Sequence, residues 1–303
     1  MNREIRHAIS AGLLATALLA LPLMVPLFMP LMPLAPLPLY LVGIRFGVRA
    51  VWLSSVVMLL YGLMTTGLIS VALLQTLIIV GFPALTAWLI RRQWSLGYCI
   101  LAAVFIALAV LLAGLLISWV VDFDPVVHVA ERIRQVTDAL MASLEPGAID
   151  AVQRAQLSRA MDQFADFFAP LFPGLFLSGW LVLQLINLQL SRHILIKMGE
   201  KRFILDDPVW FRVPDLFVWA LVVGLALSLA VDGFLRFAAI NLCLLLAVPY
   251  FFQGLAVLQT LFNLYRIAPF FRTLFYVMLF LWLELAILVA LVGLGGACLG
   301  TRV

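Results

Sequence analysis

Charged residues are scarce in this sequence, and their scarcity argues against a soluble protein. They make up 11% of the 303 residues, whereas hydrophobic residues make up 65% and the mean hydropathy is +1.16. Soluble domains carry about 25% charged and about 45–50% apolar residues. The composition therefore predicts an integral membrane protein with many spans. The net charge of +4 comes from residues dispersed at the ends of apolar segments, which argues against nucleic-acid binding.

Cysteine and histidine are also rare, and the common catalytic motifs are missing. Cys99, Cys243 and Cys298 lie in or beside apolar runs without a CxxC pair, so they suggest neither a metal site nor a disulfide framework. The three histidines are scattered, and the sequence contains no HExxH, GxSxG, P-loop or GxGxxG motif. We therefore expect no enzymatic activity, no metal and no cofactor.

Proline, in contrast, is concentrated in one apolar stretch near the N-terminus. Residues 21–47 carry no charge before Arg45. They contain Pro22, Pro26, Pro30, Pro33, Pro36 and Pro38. Each proline removes a backbone donor and clashes with the preceding helical turn. At membrane depth such a broken backbone is tolerated where protein shelters it or where it lines a cavity. We therefore expect the other helices to shelter this stretch.

Nine apolar segments approach the length of about 20 residues that a membrane-spanning helix needs. They are residues 8–29, 30–44, 51–68, 71–90, 96–120, 169–190, 214–231, 237–263 and 273–299. The predicted fold is therefore an all-α, polytopic transmembrane helix bundle of about nine spans, the second short and proline-broken. No clear cleavage site interrupts the first apolar run, so we expect a retained first span rather than a signal peptide.

The distribution of Lys and Arg predicts the orientation. If the N-terminus is cytoplasmic and all nine segments cross, 13 of the 19 Lys and Arg residues face the cytoplasm and 6 face outward. If the proline-rich segment does not cross, Arg91, Arg92 and the basic residues 192–212 face outward. The charge rule thus predicts a bacterial inner membrane protein with a cytoplasmic N-terminus and an extracytoplasmic C-terminus. The alternative is a re-entrant proline segment with one other span misjudged.

A hydrophilic region, residues 121–168, separates the N-terminal membrane bundle (1–120) from the C-terminal one (169–303). Apolar residues recur at helical spacing on both sides of a Glu-Pro-Gly break at 145–147. This pattern predicts an extracytoplasmic amphipathic helical hairpin whose second helix can continue into the next span. The hairpin has two interpretations. It either caps the outer ends of the bundle or serves as a lid or partner-docking surface.

The polar residues within the later spans are candidates for ligand contacts. Glu284 lies 13 residues after Phe271, about 20 Å along a helix, which predicts a position near the middle of the membrane. A carboxylate there usually faces the bundle interior or a water-filled cavity. The alternative interpretation is that Glu284 is protonated and hydrogen-bonded to a neighbouring helix. In PYFFQGLAVLQ, Gln253 is a polar group beside Tyr250, and Gly254 permits close approach of another backbone.

Together these residues predict a ligand site between the proline-broken segment and the later spans. Its candidate contacts are Glu284, Gln253, Gly254, Tyr250, Pro36, Pro38 and Tyr40. In the first span, Ala11 and Ala15 have the four-residue spacing of small residues at membrane helix contacts.

Three motifs carry a resemblance: PLMPLAPLPLYLVGIRFG, FRVPDLFVW and PYFFQGLAVLQTL. The chain resembles the YybS-like family of bacterial multi-pass membrane proteins. That family is in turn similar to the S components of energy-coupling-factor vitamin transporters. The resemblance implies a small hydrophobic or vitamin-like ligand. It also implies a membrane protein partner that contacts the first span at Ala11 and Ala15.

Two functions follow from these patterns. The first is a small-molecule-binding, transporter-like protein, since broken spans with interior polar groups are typical of transporters. The second is a non-transporting scaffold or assembly factor that recruits a partner through the hairpin. Both functions place the protein in the lipid bilayer.

Overall fold

The computed structural model describes residues 3–143, 150–200 and 213–298, and this part of the chain is helical without any β-strand. The helices are α1 Arg3–Met24, α2 Leu37–Phe46, α3 Val48–Thr66, α4 Ile69–Arg91, α5 Leu96–Val120, α6 Pro125–Ser143, α7 Ala151–Phe168, α8 Phe172–Lys197, α9 Asp215–Ala230, α10 Gly233–Leu264, α11 Pro269–Leu281 and α12 Leu283–Cys298. The predicted all-α fold is confirmed.

Seven helical segments in the described ranges are long and apolar enough to cross a membrane. They are Arg3–Met24, Pro26–Phe46, Val48–Thr66, Ile69–Arg91, Gly97–Val120, Val152–Lys197 and Gly233–Leu264. A bent pair, α11 with α12, raises the number to eight if the pair counts as one span. The remaining predicted span, residues 214–231, corresponds to α9, which has 16 residues and is short for a crossing.

The proline-rich stretch forms two different helices. Pro26–Leu34 is a 3-10 helix with no buried residue, whereas α2 buries most of its side chains. The expectation that the whole stretch is sheltered is therefore wrong for the 3-10 part. Its i to i+3 bonds, such as Phe28 N–H to the Val25 carbonyl (3.0 Å), satisfy the backbone locally, and its prolines have no N–H to satisfy.

The chain forms two compact units. Unit 1 comprises residues 1–103, 180–212 and 258–265, and unit 2 comprises residues 104–179, 213–257 and 266–303. The predicted division at residues 120 and 168 stays a prediction.

In unit 1, α1 packs on α3 through small residues. The Ser54 hydroxyl donates to the Ala8 carbonyl (2.7 Å), and a side chain at Gly12 would collide with the Ser54 carbonyl. Ala11 and Ala15 are buried in the same core, at 8% and 0% exposure. Small side chains thus allow the two helix backbones to approach closely.

In unit 2, α6 and α7 form the predicted amphipathic helical hairpin. A capping box between Asp150 and Gln153 begins α7, since each residue's side chain bonds the other's backbone N–H. The helices pack through Ala130 and Ala165, and α7 continues through a short 3-10 turn into α8, as expected. The apolar stripes of the hairpin are not fully covered, because Val136 of α6 is 69% exposed.

The last predicted span is broken. α11 and α12 meet at a bend of 109°, with Trp282 in extended conformation between them. The predicted span over residues 273–299 is therefore not one continuous helix, and its last residue, Leu299, lies outside the described residues. No proline or glycine marks the break. Glu284 lies in the first turn of α12, where a carboxylate is favoured by the helix dipole.

Candidate functional site

A cavity of about 760 Å³ lies in unit 2, where α5 ends and α6 and α10 begin. It is lined by Ser118, Trp119, Asp122, Phe123, Asp124, Pro125, Val126, Asp166, Phe167, Pro170, Leu171, Gly233, Phe234, Arg236, Phe237 and Ile240. Cavities of 300–1,000 Å³ with mostly apolar walls and few polar groups are typical small-molecule sites.

The turn that ends α5 places Asp122 in the cavity wall. The Phe123 N–H donates to the Ser118 carbonyl (2.9 Å), which is the long-range bond of a Schellman motif. The Ser118 hydroxyl donates back to the Phe123 carbonyl (2.5 Å), so the turn is held from both sides. This geometry requires a left-handed residue at Asp122, whose φ is 54°. An L-residue other than glycine pays on the order of 1 kcal/mol there.

The other charged groups of the cavity wall are paired. Asp124 caps α6 by accepting the Val126 N–H (2.8 Å). Asp166 accepts from the Arg134 guanidinium (2.7 Å), and Arg236 contacts Asp232 (3.4 Å).

Asp122 differs from these groups, because its carboxylate has no hydrogen-bond or ion-pair partner among the residues that the structure describes. The wall therefore presents one carboxylate without a partner among the described residues.

Aromatic side chains form much of the remaining wall. Trp119, Phe123, Phe167 and Phe234 are exposed, whereas Phe237 is buried at 8% exposure. The faces of aromatic rings carry partial negative charge and attract cations. The arrangement can hold an apolar or amphiphilic molecule and stabilise positive charge near Asp122.

Three of the predicted contacts lie on α10 in unit 2 and make intramolecular contacts. The Gln253 side chain is buried, and its oxygen accepts the Val213 N–H (3.4 Å) ahead of α9. Tyr250 is 1% exposed, and its carbonyl lies against Gly293 of α12. Gly254 lies against the Val289 carbonyl at a separation that leaves no room for a side chain.

Glu284 is also in unit 2, but its side chain is exposed and does not line the cavity. Because α12 begins at Leu283, Glu284 is a residue of a helix start rather than of a helix middle. Its role as a ligand contact stays a prediction.

The remaining predicted contacts, Pro36, Pro38 and Tyr40, lie in unit 1 and are buried. Pro36 precedes the first turn of α2, and the Tyr40 hydroxyl donates to Gln184 (2.9 Å). Nearby in the sequence, the Pro33 carbonyl accepts from the Asn187 amide (2.8 Å). These two hydrogen bonds therefore fasten the proline-broken segment to α8.

None of the sequence-predicted contacts lines the cavity, and the sequence analysis missed Asp122 as a site residue. A signal was present, because Asp122 follows a long apolar helix at the position where glycine usually ends it. Asp122 lies just beyond the end of a span, where charged residues are common, so its polarity alone does not set it apart.

Fold and site together define an all-helical, multi-pass membrane protein with a cavity at the ends of its helices. A family model described as predicted membrane protein, DUF2232, matches residues 13–295. The chain therefore belongs to the DUF2232 family of predicted membrane proteins. No curated protein and no solved structure matches it. The similarity to YybS-like proteins and to S components stays a prediction.

Proposed function

We propose that this protein is a small-molecule-binding, transporter-like membrane protein whose ligand occupies the cavity of unit 2. The observation that carries the proposal is the cavity itself, which combines about 760 Å³ of space with aromatic walls and an unpaired carboxylate at Asp122. The cavity lies where α5 ends and α6 and α10 begin, and helix ends leave backbone polar groups that can face a ligand.

The resemblance to S components supports the same function. A vitamin-like ligand has the size that the cavity holds. The sequence contains no P-loop, so active transport would draw on an ion gradient or on a separate ATPase. The excess of Lys and Arg on one side supports a bacterial inner membrane location with a cytoplasmic N-terminus. If α9 crosses and α11 with α12 forms a re-entrant loop rather than a span, the C-terminus is cytoplasmic as well.

Native mass spectrometry of the protein released from mild detergent tests the proposal. We expect a reproducible small-molecule adduct that is lost in Ile240→Trp, because the larger side chain fills part of the cavity. Val223→Trp is the matched control, since Val223 is exposed on α9 and does not line the cavity. An adduct that survives Ile240→Trp but is lost in Glu284→Gln would move the site to Glu284. A protein without any small adduct would contradict the proposal.

The exposed apolar side chains of the hairpin favour a second function, that of a scaffold or assembly factor. Val136 and Leu140 of α6 are 69% and 54% exposed. The same mass spectra test this alternative, because a partner bound to this face would appear as a bound protein. Its loss in the double variant Val136→Ser, Leu140→Ser, with the small adduct absent from the start, would favour the scaffold.

A further inference from the structure

Asp122 occupies a position that is unfavourable for a carboxylate in two independent ways. Its left-handed conformation, with φ of 54°, is one that glycine adopts without strain. It also follows the last turn of α5, where the free carbonyl groups and the helix dipole present negative charge. Glycine would avoid both penalties, and asparagine would avoid the charge penalty.

No compensating interaction offsets these penalties within the described ranges. Arg236, the arginine among the lining residues, contacts Asp232, and Arg134 of α6 contacts Asp162 and Asp166. Asp122 instead faces a cavity whose rings include Trp119 and Phe123. Strained residues without local compensation cluster at functional sites.

We propose that the cavity binds an organic cation, an amine or quaternary ammonium group on an apolar body, with Asp122 as its counter-ion. The inference rests on the proposed function, because it names the ligand class of the same site. Aromatic rings recognise quaternary ammonium groups through the faces of their π-systems. The apolar body of the ligand packs against the part of the cavity wall formed by Phe234 and Phe237.

The geometry favours an organic cation over a bare metal ion or an anion. In the part of the chain that the structure describes, no three Asp, Glu, His or Cys side chains converge as metal ligands do. An anion would meet Asp122 and the negative end of α5. Of the two helix N-termini at the cavity, that of α6 is already capped by Asp124, and the guanidinium of Arg236 near the start of α10 is shared with Asp232. A delocalised or alkylated cation satisfies both the carboxylate and the rings.

Matched probes test the inference by isothermal titration calorimetry on the detergent-solubilised protein. Phenyltrimethylammonium and tert-butylbenzene have nearly the same shape and differ in charge, and benzenesulfonate supplies an anion of similar size. We expect the cation to bind, the neutral probe to bind at least about tenfold more weakly, and the anion not to bind. Added salt is expected to weaken binding of the cation, because Asp122 is solvent-exposed.

Variants of Asp122 then test whether this carboxylate is the counter-ion of the bound cation. We expect Asp122→Asn to weaken binding of the cation at least about tenfold, and Asp122→Gly to do the same while raising the midpoint of thermal unfolding. A gain in stability with a loss of binding is the signature of a strained binding residue. Asp138→Asn is the control, since Asp138 is an exposed carboxylate of α6 that does not line the cavity.

Each other result overturns a defined claim. Equal affinity for the cation and its neutral isostere, or unchanged affinity in Asp122→Asn, would overturn the cation inference and leave the proposed function standing. Failure of all three probes to bind would also overturn the inference. Absence of the small adduct in native mass spectra would overturn the proposed function itself.

Discussion

The proline-broken segment of unit 1 and the cavity of unit 2 use polar side chains in opposite ways. In unit 1, Tyr40 and Asn187 are buried and bond Gln184 and the Pro33 carbonyl. In unit 2, Asp122 is exposed to a cavity and has no partner among the described residues. The type of a polar residue inside a membrane protein therefore does not identify it as part of a binding site. Its contacts distinguish a structural role from a binding role.

This contrast has a measurable consequence. Variants at the buried polar contacts of unit 1 are expected to lower stability without changing the affinity for a ligand of the cavity. Variants in the cavity wall are expected to change that affinity while stability stays constant or rises. Stability can be measured by titration with denaturing detergent, and affinity with the phenyltrimethylammonium probe.

The largest loss of stability is expected at the contact between α10 and α12 in unit 2. Gly254→Ala would place a methyl group against the Val289 carbonyl, a backbone atom that cannot move aside alone. We expect a loss of about 3 kcal/mol, the upper end of measured overpacking costs, in a detergent titration.

Gly295→Ala in α12 provides the control, because a side chain there meets open space. Alanine replaces glycine in a helix interior with a gain of about 0.5–1 kcal/mol, so the two variants should differ in sign. Equal effects of both variants would show that α10 and α12 do not pack at Gly254. That result would remove a close helix contact of unit 2 and weaken the contrast between the packed α10–α12 interface and the open cavity.

A smaller loss is expected in unit 1 from Asn187→Leu. The substitution removes the donor to the Pro33 carbonyl, leaving a backbone group of the broken segment unpaired. We expect about 1 kcal/mol of destabilisation, measured in the same titration, because such bonds are worth about 0.6 kcal/mol on average in membranes and an unpaired buried group costs somewhat more.

Gln189→Leu on the same helix is the matched control, since Gln189 is half-buried and has no hydrogen-bond partner among the described residues. It should leave stability nearly unchanged. A change in probe affinity in Asn187→Leu would break the contrast, because it would give a buried structural contact a part in binding.

Most of the fold could be predicted from the sequence because each span carries its own signal. Apolar length located the helices, and the spacing of Val129 and Ile133 revealed that residues 125–143 form an amphipathic helix. The bend at Trp282 could not be predicted, since neither proline nor glycine marks it and the surrounding residues are uniformly apolar. The 3-10 helix at Pro26–Leu34 was predicted only as a break.

The candidate site was less predictable because it depends on contacts between distant parts of the chain. Trp119, Phe167 and Phe234 lie on three different helices, and no sequence pattern brings them together. Gln253 and Tyr40 were conspicuous in sequence because they are polar within apolar spans. The structure pairs both of them, whereas the unpaired carboxylate of Asp122 lies in a turn, where a charged residue attracts no notice.

The smallest effect is expected from Trp119→Leu in the cavity wall. Leucine keeps apolar surface but removes the ring face, and a cation–π contact at an exposed site is worth about 0.5–1 kcal/mol. Calorimetry with phenyltrimethylammonium should therefore show a loss of about two- to fivefold in affinity, with the free energy of unfolding unchanged because Trp119 is 70% exposed.

Trp119→Phe retains a ring and should recover part of the loss. If leucine and phenylalanine weaken binding equally, the ring face makes no contribution and Asp122 alone attracts the charge. If Trp119→Leu lowers stability instead, the Trp119 side chain has a structural role like that of the buried contacts of unit 1. The contrast between the two regions would then not hold for the aromatic residues of the cavity wall.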